Sequence, residues 1–164
     1  MRYSWAPAKN MEVNVTEPNI DRFNEIAGRV LAHLYQSFPI PAKLKPSSIG
    51  LKDLGPDDYA TISLATVITA PDDSEAMFFR HTVKWLISNG FLTAMPYIQS
   101  DSFGDAVLTP KGLEVLNSIP ESLSAKQPIG ERLTEATKTG AKEILRSVAS
   151  EAISIAAKSF MGQA

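Results

Sequence analysis

The stretch from Ser74 to Ile119 decides the fold, and it reads SEAMFFRHTVKWLISNGFLTAMPYIQSDSFGDAVLTPKGLEVLNSI. Its first part, residues 74–89, carries large apolar side chains at intervals of three and four residues, which is the pattern of an amphipathic helix. The inward positions are Ala76, Phe79, Val83, Leu86 and Ile87. Gly90 follows at the place where a helix end favours a left-handed residue. We therefore predict a helix over 74–89 that ends at this glycine.

The second part of the stretch predicts a β-hairpin followed by another helix. Residues 91–99 and 105–108 have a strand-like composition and flank a turn over 101–104. Thr109-Pro110 then supplies a capping hydroxyl and a first-turn proline, which together favour the start of a helix. The side chains that this helix is expected to turn inward are Leu113, Leu116 and Ile119. The stretch thus predicts a helix, a two-stranded wing and a second helix.

Composition and charge narrow the class of protein. The chain has 164 residues, 44% of them apolar, and no cysteine, so disulfides and thiolate metal sites are excluded. The start of the chain lacks the apolar core of a signal peptide and no apolar run could span a bilayer, so a cytoplasmic location is expected. Residues 131–164 hold five basic and four acidic side chains, which leaves 11 basic and 14 acidic in residues 1–130. That balance disfavours phosphate binding by the first 130 residues.

Upstream of the deciding stretch, the chain predicts an arm, a helix and a loop. Residues 1–18 lack periodicity, which indicates an extended arm. A wide apolar stripe predicts a helix that starts between Thr16 and Asp21 and is stopped by Pro39. The stripe consists of Phe23, Ile26, Ala27, Val30, Leu31, Leu34, Tyr35 and Phe38. A proline-rich and glycine-rich loop follows, with a short strand around residues 42–45. Residues 57–70 fit a strand by their β-branched side chains and a helix by their acidic first turn, and we interpret them as a further helix.

Two blocks of sequence resemble the winged helix-turn-helix superfamily: FRHTVKWLISNGFL at residues 79–92 and LTPKGLEVL at residues 108–116. The resemblance is at the level of the fold and covers about residues 20–119. It implies an α+β, mostly helical architecture, namely a winged helix-turn-helix domain with a long C-terminal amphipathic helix. It also implies that the 74–89 helix occupies the position from which DNA-binding members read the major groove.

The outward face of the 74–89 helix favours contact with protein over contact with DNA. The side chains on this face include Met77, Phe78, His81 and Trp85. Three of the four are large and apolar, whereas base edges are read mainly by polar side chains. The face is therefore interpreted either as covered by the same chain or a dimer, or as a docking surface for another protein. A contact with DNA would depend on Arg80, Lys84, Lys43, Lys45 and Lys52, and the wing itself has no Lys or Arg.

The last part of the chain predicts a long helix that joins subunits. Residues 131–160 contain no proline, and a helix of that length would measure about 45 Å. This exceeds a domain of about 100 residues, whose radius of gyration is near 13 Å, so the apolar stripe would need another subunit as cover. The predicted contacts are Leu133, Gly140, Ile144, Val148, Ala152 and Ile155. The alternatives are a helix broken near Gly140 that folds back on its own domain, and a helix on a membrane surface.

No pattern for catalysis, for a metal or for a cofactor occurs in the sequence. The only histidines are His33 and His81, and the acidic pairs lack the loop pattern of a calcium site. Glycine-rich phosphate loops and nucleophile elbows are also missing. We therefore expect a protein that is not an enzyme, with no catalytic residues, no metal and no cofactor.

The expected organisation is an arm over 1–18, a winged-helix domain over 19–119, a linker over 120–130 and an oligomerisation helix over 131–164. The expected function is that of a non-catalytic regulatory or adaptor module. It would assemble as a homodimer or higher homo-oligomer and bind protein through the 74–89 helix and the C-terminal helix. The alternative is a DNA-binding transcriptional regulator of the winged-helix class.

Overall fold

The computed structural model describes residues 17–53, 75–97, 101–121 and 126–161. The elements in chain order are α1 (Asn19–Ser37), β1 (Ala42–Leu44), a 3₁₀ turn (Pro46–Ile49), α2 (Glu75–Ser88), β2 (Leu92–Pro96), β3 (Phe103–Leu108), α3 (Pro110–Asn117), α4 (Ile129–Thr139) and α5 (Lys142–Met161). In these ranges the fold is α+β and mostly helical, as predicted. The helix predicted over 57–70 and nearly all of the predicted arm lie outside the described residues.

Helix α1 is the central element of the core. It starts after Pro18 and ends before Pro39, within the predicted limits. The stripe is confirmed for Ile26, Ala27, Val30, Leu31 and Leu34, which are buried. The prediction is wrong for Phe38, which follows the end of the helix and is 38% exposed. His33 lies beside the stripe, and partial burial lowers its pKa because desolvation disfavours the charged imidazolium. Helices α4 and α5 pack on α1 more extensively than does α2.

The sheet is antiparallel, with the strand order β1-β3-β2. The predicted helix end at Gly90 is confirmed, since this residue has a φ of 76°. The predicted turn over 101–104 is wrong, because Phe103 and Gly104 already belong to β3. Phe103 is fully buried and its ring centroid lies 6.3 Å from that of Phe79. Tertiary burial of this phenylalanine outweighs the turn-like composition around it.

The start of α3 is fixed by contacts to the end of the α2–β2 connection. The Gly112 amide donates a hydrogen bond to the Thr109 hydroxyl over 3.0 Å, which confirms the predicted cap. The Thr109 amide donates to the Phe91 carbonyl over 3.1 Å. Gly112 approaches the same carbonyl so closely that an added Cβ would lie 2.0 Å from the oxygen. The helix ends at Asn117, so Ile119, which was predicted to point inward, lies beyond it and is exposed.

The prediction of one continuous C-terminal helix is wrong. Gly140 ends α4 with a left-handed φ of 69°, and α5 folds back along α1. Gly28 makes this close crossing feasible, because a Cβ there would lie 2.9 Å from a methyl carbon of Leu145 and 3.2 Å from the Cβ of Ala149. The predicted linker is also too long, since α4 begins at Ile129, which is fully buried.

The residues predicted to join subunits have different surroundings in this fold. Leu133, Val148 and Ala152 are buried in the core of their own chain. Ile155 is partly buried against that core, Ile144 is 55% exposed, and Gly140 lies exposed at the break. Because the stripe is covered from within, it gives no reason to invoke a second subunit, and the oligomeric state stays a prediction.

A cluster of charged side chains also joins α5 to α1. Glu25 pairs with Arg29 and with Arg146, each over 3.0 Å, and lies 4.0 Å from the Lys142 amine. Arg146 also donates a hydrogen bond to Glu17, just before α1. The Glu25 and Arg146 side chains are each only 12% exposed, which limits screening by solvent.

The pair of Glu17 and Arg146 should make stability depend on pH. The hydrogen bond from Arg146 holds the pKa of the Glu17 carboxyl below its usual range. A carboxyl with a lowered folded-state pKa adds stability above its unfolded-state pKa, and this contribution is lost as the pH falls through the lowered value. We therefore expect Glu17→Gln to lower the thermal midpoint at neutral pH and to match the wild type more closely below about pH 4.

Thermal unfolding of both proteins across this pH range measures the effect. Glu114→Gln is the matched control, because Glu114 is an exposed carboxylate of α3 with no ion pair among the described residues. A difference between Glu17→Gln and the wild type that is independent of pH would contradict the assignment.

Candidate functional site

A groove lies where the N-terminal half of α1, one flank of α2 and the outer face of α5 meet. Its volume is about 490 Å³. Its apolar lining consists of Ile20, Phe23, Phe78, Trp85 and Ile153, and its polar lining of Asn24, His81, Thr82, Ser150 and Ser154. We refer to this feature as the α1–α2–α5 groove. Its size and mainly apolar walls are those of ligand sites in proteins, which span roughly 300–1,000 Å³.

Aromatic contacts hold the α2 wall of the groove in place. The rings of Phe23 and Trp85 meet edge to face, with centroids 5.1 Å apart. Trp85 also stacks on Phe91, with centroids 6.1 Å apart, and the Arg22 guanidinium lies 4.2 Å above the ring of Phe78. Trp85 nevertheless remains 39% exposed. The indole is therefore fixed from behind and presents free surface at the groove.

Two buried polar residues belong to the described lining of the groove. Asn24 on α1 is 9% exposed and Thr82 on α2 is 2% exposed. The Thr82 hydroxyl donates a hydrogen bond to the Phe78 carbonyl over 2.9 Å. The groove thus adds two buried polar residues to its apolar walls.

Three of the four residues predicted for the outward face of α2 reach the groove. Phe78, His81 and Trp85 line it, whereas Met77 is partly buried and does not. Flanking by α1 and α5 agrees in part with the interpretation that the same chain covers this face. The residues that the structure describes leave the groove open, so their cover of this face is incomplete.

Sequence reasoning missed the contributions of α1 and α5 to the groove. Asn24 did carry a signal, because it lies three residues before Ala27 and seven before Leu31, on the apolar face of α1. Ser150 and Ser154 carried no such signal, because serines are common on exposed helix surfaces. Only the return of α5 along α1 brings them to α2.

The basic residues predicted to contact DNA differ in whether their charged groups contact other side chains of the chain. The Arg80 guanidinium lies 5.7 Å from the ring centroid of Phe103, and the Lys43 amine lies 5.6 Å from that of Tyr97. Lys45 forms an ion pair with Asp53 over 3.8 Å. Lys52 and Lys84 are exposed. These residues are distributed over β1, the positions before and after the 3₁₀ turn, and α2.

Within residues 17–53, 75–97, 101–121 and 126–161, no three histidine, aspartate or glutamate side chains come close enough together to hold a metal ion. No helix in the same ranges has both the length and the apolar composition needed to cross a bilayer.

Comparisons of the chain with protein-family models, with curated proteins and with solved structures found no match.

Proposed function

We propose that this chain is a non-catalytic regulatory or adaptor module of the winged-helix type that binds a segment of another protein in the α1–α2–α5 groove. The order of α2, β2, β3 and α3 supports the winged-helix assignment, with α2 in the recognition position. Such a fold is compatible with many functions, so the function has to be argued from the groove itself.

The observation that carries the proposal is the partly exposed aromatic wall of the groove. Phe23, Phe78 and Trp85 stand together on it, and Trp85 keeps over a third of its surface in water. Covering aromatic surface is favourable, and tryptophan is enriched among the residues that contribute most to protein–protein binding. A partner side chain that fills the groove would remove this surface from water.

The groove also favours a protein partner over a nucleic acid. Among the described residues, its lining contains no lysine, arginine or carboxylate, whereas a duplex would need cations at its phosphates. DNA binding remains the second candidate because Lys84 is exposed on α2 and Lys52 is exposed after the 3₁₀ turn. Retention of a random duplex as a function of salt separates the two: tight binding that weakens steeply with salt would favour DNA.

The proposal is tested by filling the groove from its rim. Ser150 is exposed on α5 and lines the groove, so Ser150→Trp places an indole inside it without disturbing the core. We expect peptides selected on the wild-type protein from a displayed random library to contain large apolar residues. The Ser150→Trp variant should bind them at least about 10-fold more weakly, because the loss of one buried apolar anchor costs at least 1.4 kcal/mol.

Ser147→Trp is the matched control. Ser147 is also an exposed serine of α5, one helical turn earlier, and it does not line the groove. The control should bind the selected peptides as the wild type does. Equal binding by Ser150→Trp, or no enrichment of any peptide, would exclude the groove as a protein-binding site.

A further inference from the structure

An imidazole is part of the α2 wall of the groove. Among the described lining residues, His81 alone has a side chain that changes charge near neutral pH, because the others are aliphatic, aromatic, hydroxyl or amide side chains. His81 is exposed and lies three residues after Phe78 and four before Trp85, so the three share one face of α2. The mainly apolar wall therefore includes a group that is either neutral or cationic.

The described lining offers no carboxylate to pair with a protonated His81. On α1, Glu25 is paired with two arginines, and on α5, Glu151 is paired with a third. Asp21 on α1 and Glu75 on α2 also lie outside the lining. The 3₁₀ turn and β2, which contact α2 as well, contain no ionisable side chain. An imidazolium at this position would thus have no anionic partner among the lining residues.

Basic side chains flank the same wall. The Arg22 guanidinium of α1 lies 4.2 Å from the ring centroid of Phe78, and Lys84 is exposed on α2, three residues after His81. On α5, Lys158 is exposed. Cations of this kind cannot offset the charge of an imidazolium, and like charges disfavour its formation.

Occupation of the groove would change the hydration of the imidazole. While the groove is open to water, both charge states are hydrated. An apolar occupant removes part of this water, and the loss disfavours the cation more than the neutral ring. The occupant should therefore bind more tightly to the neutral form. By linkage, binding is strongest above the pH range in which histidine titrates and weakens as the pH falls through it.

We propose that protonation of His81 weakens binding in the groove, so that an uncharged apolar segment of the partner is held at about pH 8 and is bound more weakly at about pH 5. This inference rests on the proposed function and specifies how that binding is regulated. It also specifies the chemistry of the partner, because the part that covers His81 should carry no carboxylate.

The test uses two probes that differ by one charge, applied to the full-length protein. N-acetyl-tryptophanamide is neutral, whereas N-acetyl-tryptophan has the same indole and a carboxylate that is ionised from about pH 5 to about pH 8. His81→Gln removes the titrating group, and His33→Gln is the matched control, because the sequence has only these two histidines. Binding is followed by NMR at the Trp85 indole N–H, assigned with a Trp5→Ala variant, and at the histidine ring protons.

We expect the amide probe to bind the wild type and His33→Gln about 5-fold more tightly at about pH 8 than at about pH 5, a ratio equal to about 1 kcal/mol. His81→Gln should bind this probe equally at both pH values. The carboxylate probe should show the opposite dependence in the wild type, because an imidazolium attracts its carboxylate. With the amide bound, the ring signals of His81 should titrate at lower pH than in the free protein.

Equal binding of the amide probe at the two pH values would overturn the inference. It would leave the proposed function intact if Ser150→Trp still fails to bind the selected peptides. Three further results would also overturn the inference. They are a pH dependence that persists in His81→Gln, weaker binding of both probes at low pH, and no shift of the Trp85 signal with the amide probe at about pH 8.

Discussion

Gly112→Ala should lower the free energy of unfolding by about 3 kcal/mol, because the new methyl group has no space at the start of α3. Its Cβ would lie 2.0 Å from the Phe91 carbonyl oxygen and 3.0 Å from the carbonyl carbon. Both are backbone atoms, so a rotamer change cannot relieve the contact. The same carbonyl accepts the Thr109 amide, so displacing it would also disturb the junction between β2 and α3. Urea unfolding of the two proteins measures the loss.

Gly140→Ala is the matched control for this prediction. At Gly140 an added Cβ would meet nothing within 4 Å, so that the only cost is the left-handed φ of 69°. This backbone strain is about 1 kcal/mol for alanine. If Gly112→Ala and Gly140→Ala lower stability equally, then the close approach of Gly112 to Phe91 is not a feature of the folded protein.

Leu145→Ala should cost about 3 kcal/mol of unfolding free energy, as is usual for truncation of a buried leucine. Leu145 is 2% exposed and lies on α5 where this helix crosses Gly28 of α1. Its neighbour Ile144 is 55% exposed, so we expect Ile144→Ala to cost less than about 1 kcal/mol. Urea unfolding of the two variants gives both values.

The same two variants test the expectation that the C-terminal helix joins subunits. If α5 joined two subunits through Ile144, then Ile144→Ala would lower both the stability and the solution mass. If α5 is part of the monomer's core, only Leu145→Ala has a large effect and the mass of neither variant changes. A larger loss of unfolding free energy in Ile144→Ala than in Leu145→Ala would contradict the packing of α5 on α1.

The elements that could be predicted are those whose signals are local. The apolar spacing in α1, the left-handed Gly90 and the Thr109-Pro110 start of α3 each lie within a few residues of the feature they determine. The features concerned are a helix face, a helix end and a helix cap, and each depends on interactions between residues that are close in sequence. All three agree with the structure.

The features that could not be predicted depend on distant parts of the chain. Phe103 belongs to a strand because Phe79 and the neighbouring strands bury it, although its own neighbours favour a turn. The break at Gly140 is favourable because α1 offers apolar cover to α5, more than 100 residues away in sequence. The groove likewise requires α1, α2 and α5 together, so its polar group Asn24 could be placed on a buried face but not at a site.

The open surroundings of Gly140 have a practical consequence for labelling this protein. Gly140, in the connection between α4 and α5, is exposed, and an added Cβ there would meet nothing within 4 Å. The two helices are held beside each other independently of it, by α1 and by the bond from Arg132 to Glu151 over 3.1 Å. Lengthening an exposed loop adds little closure entropy. No residue of this connection lines the groove, so a fluorophore or an affinity tag could be inserted here without replacing any of the groove's lining residues.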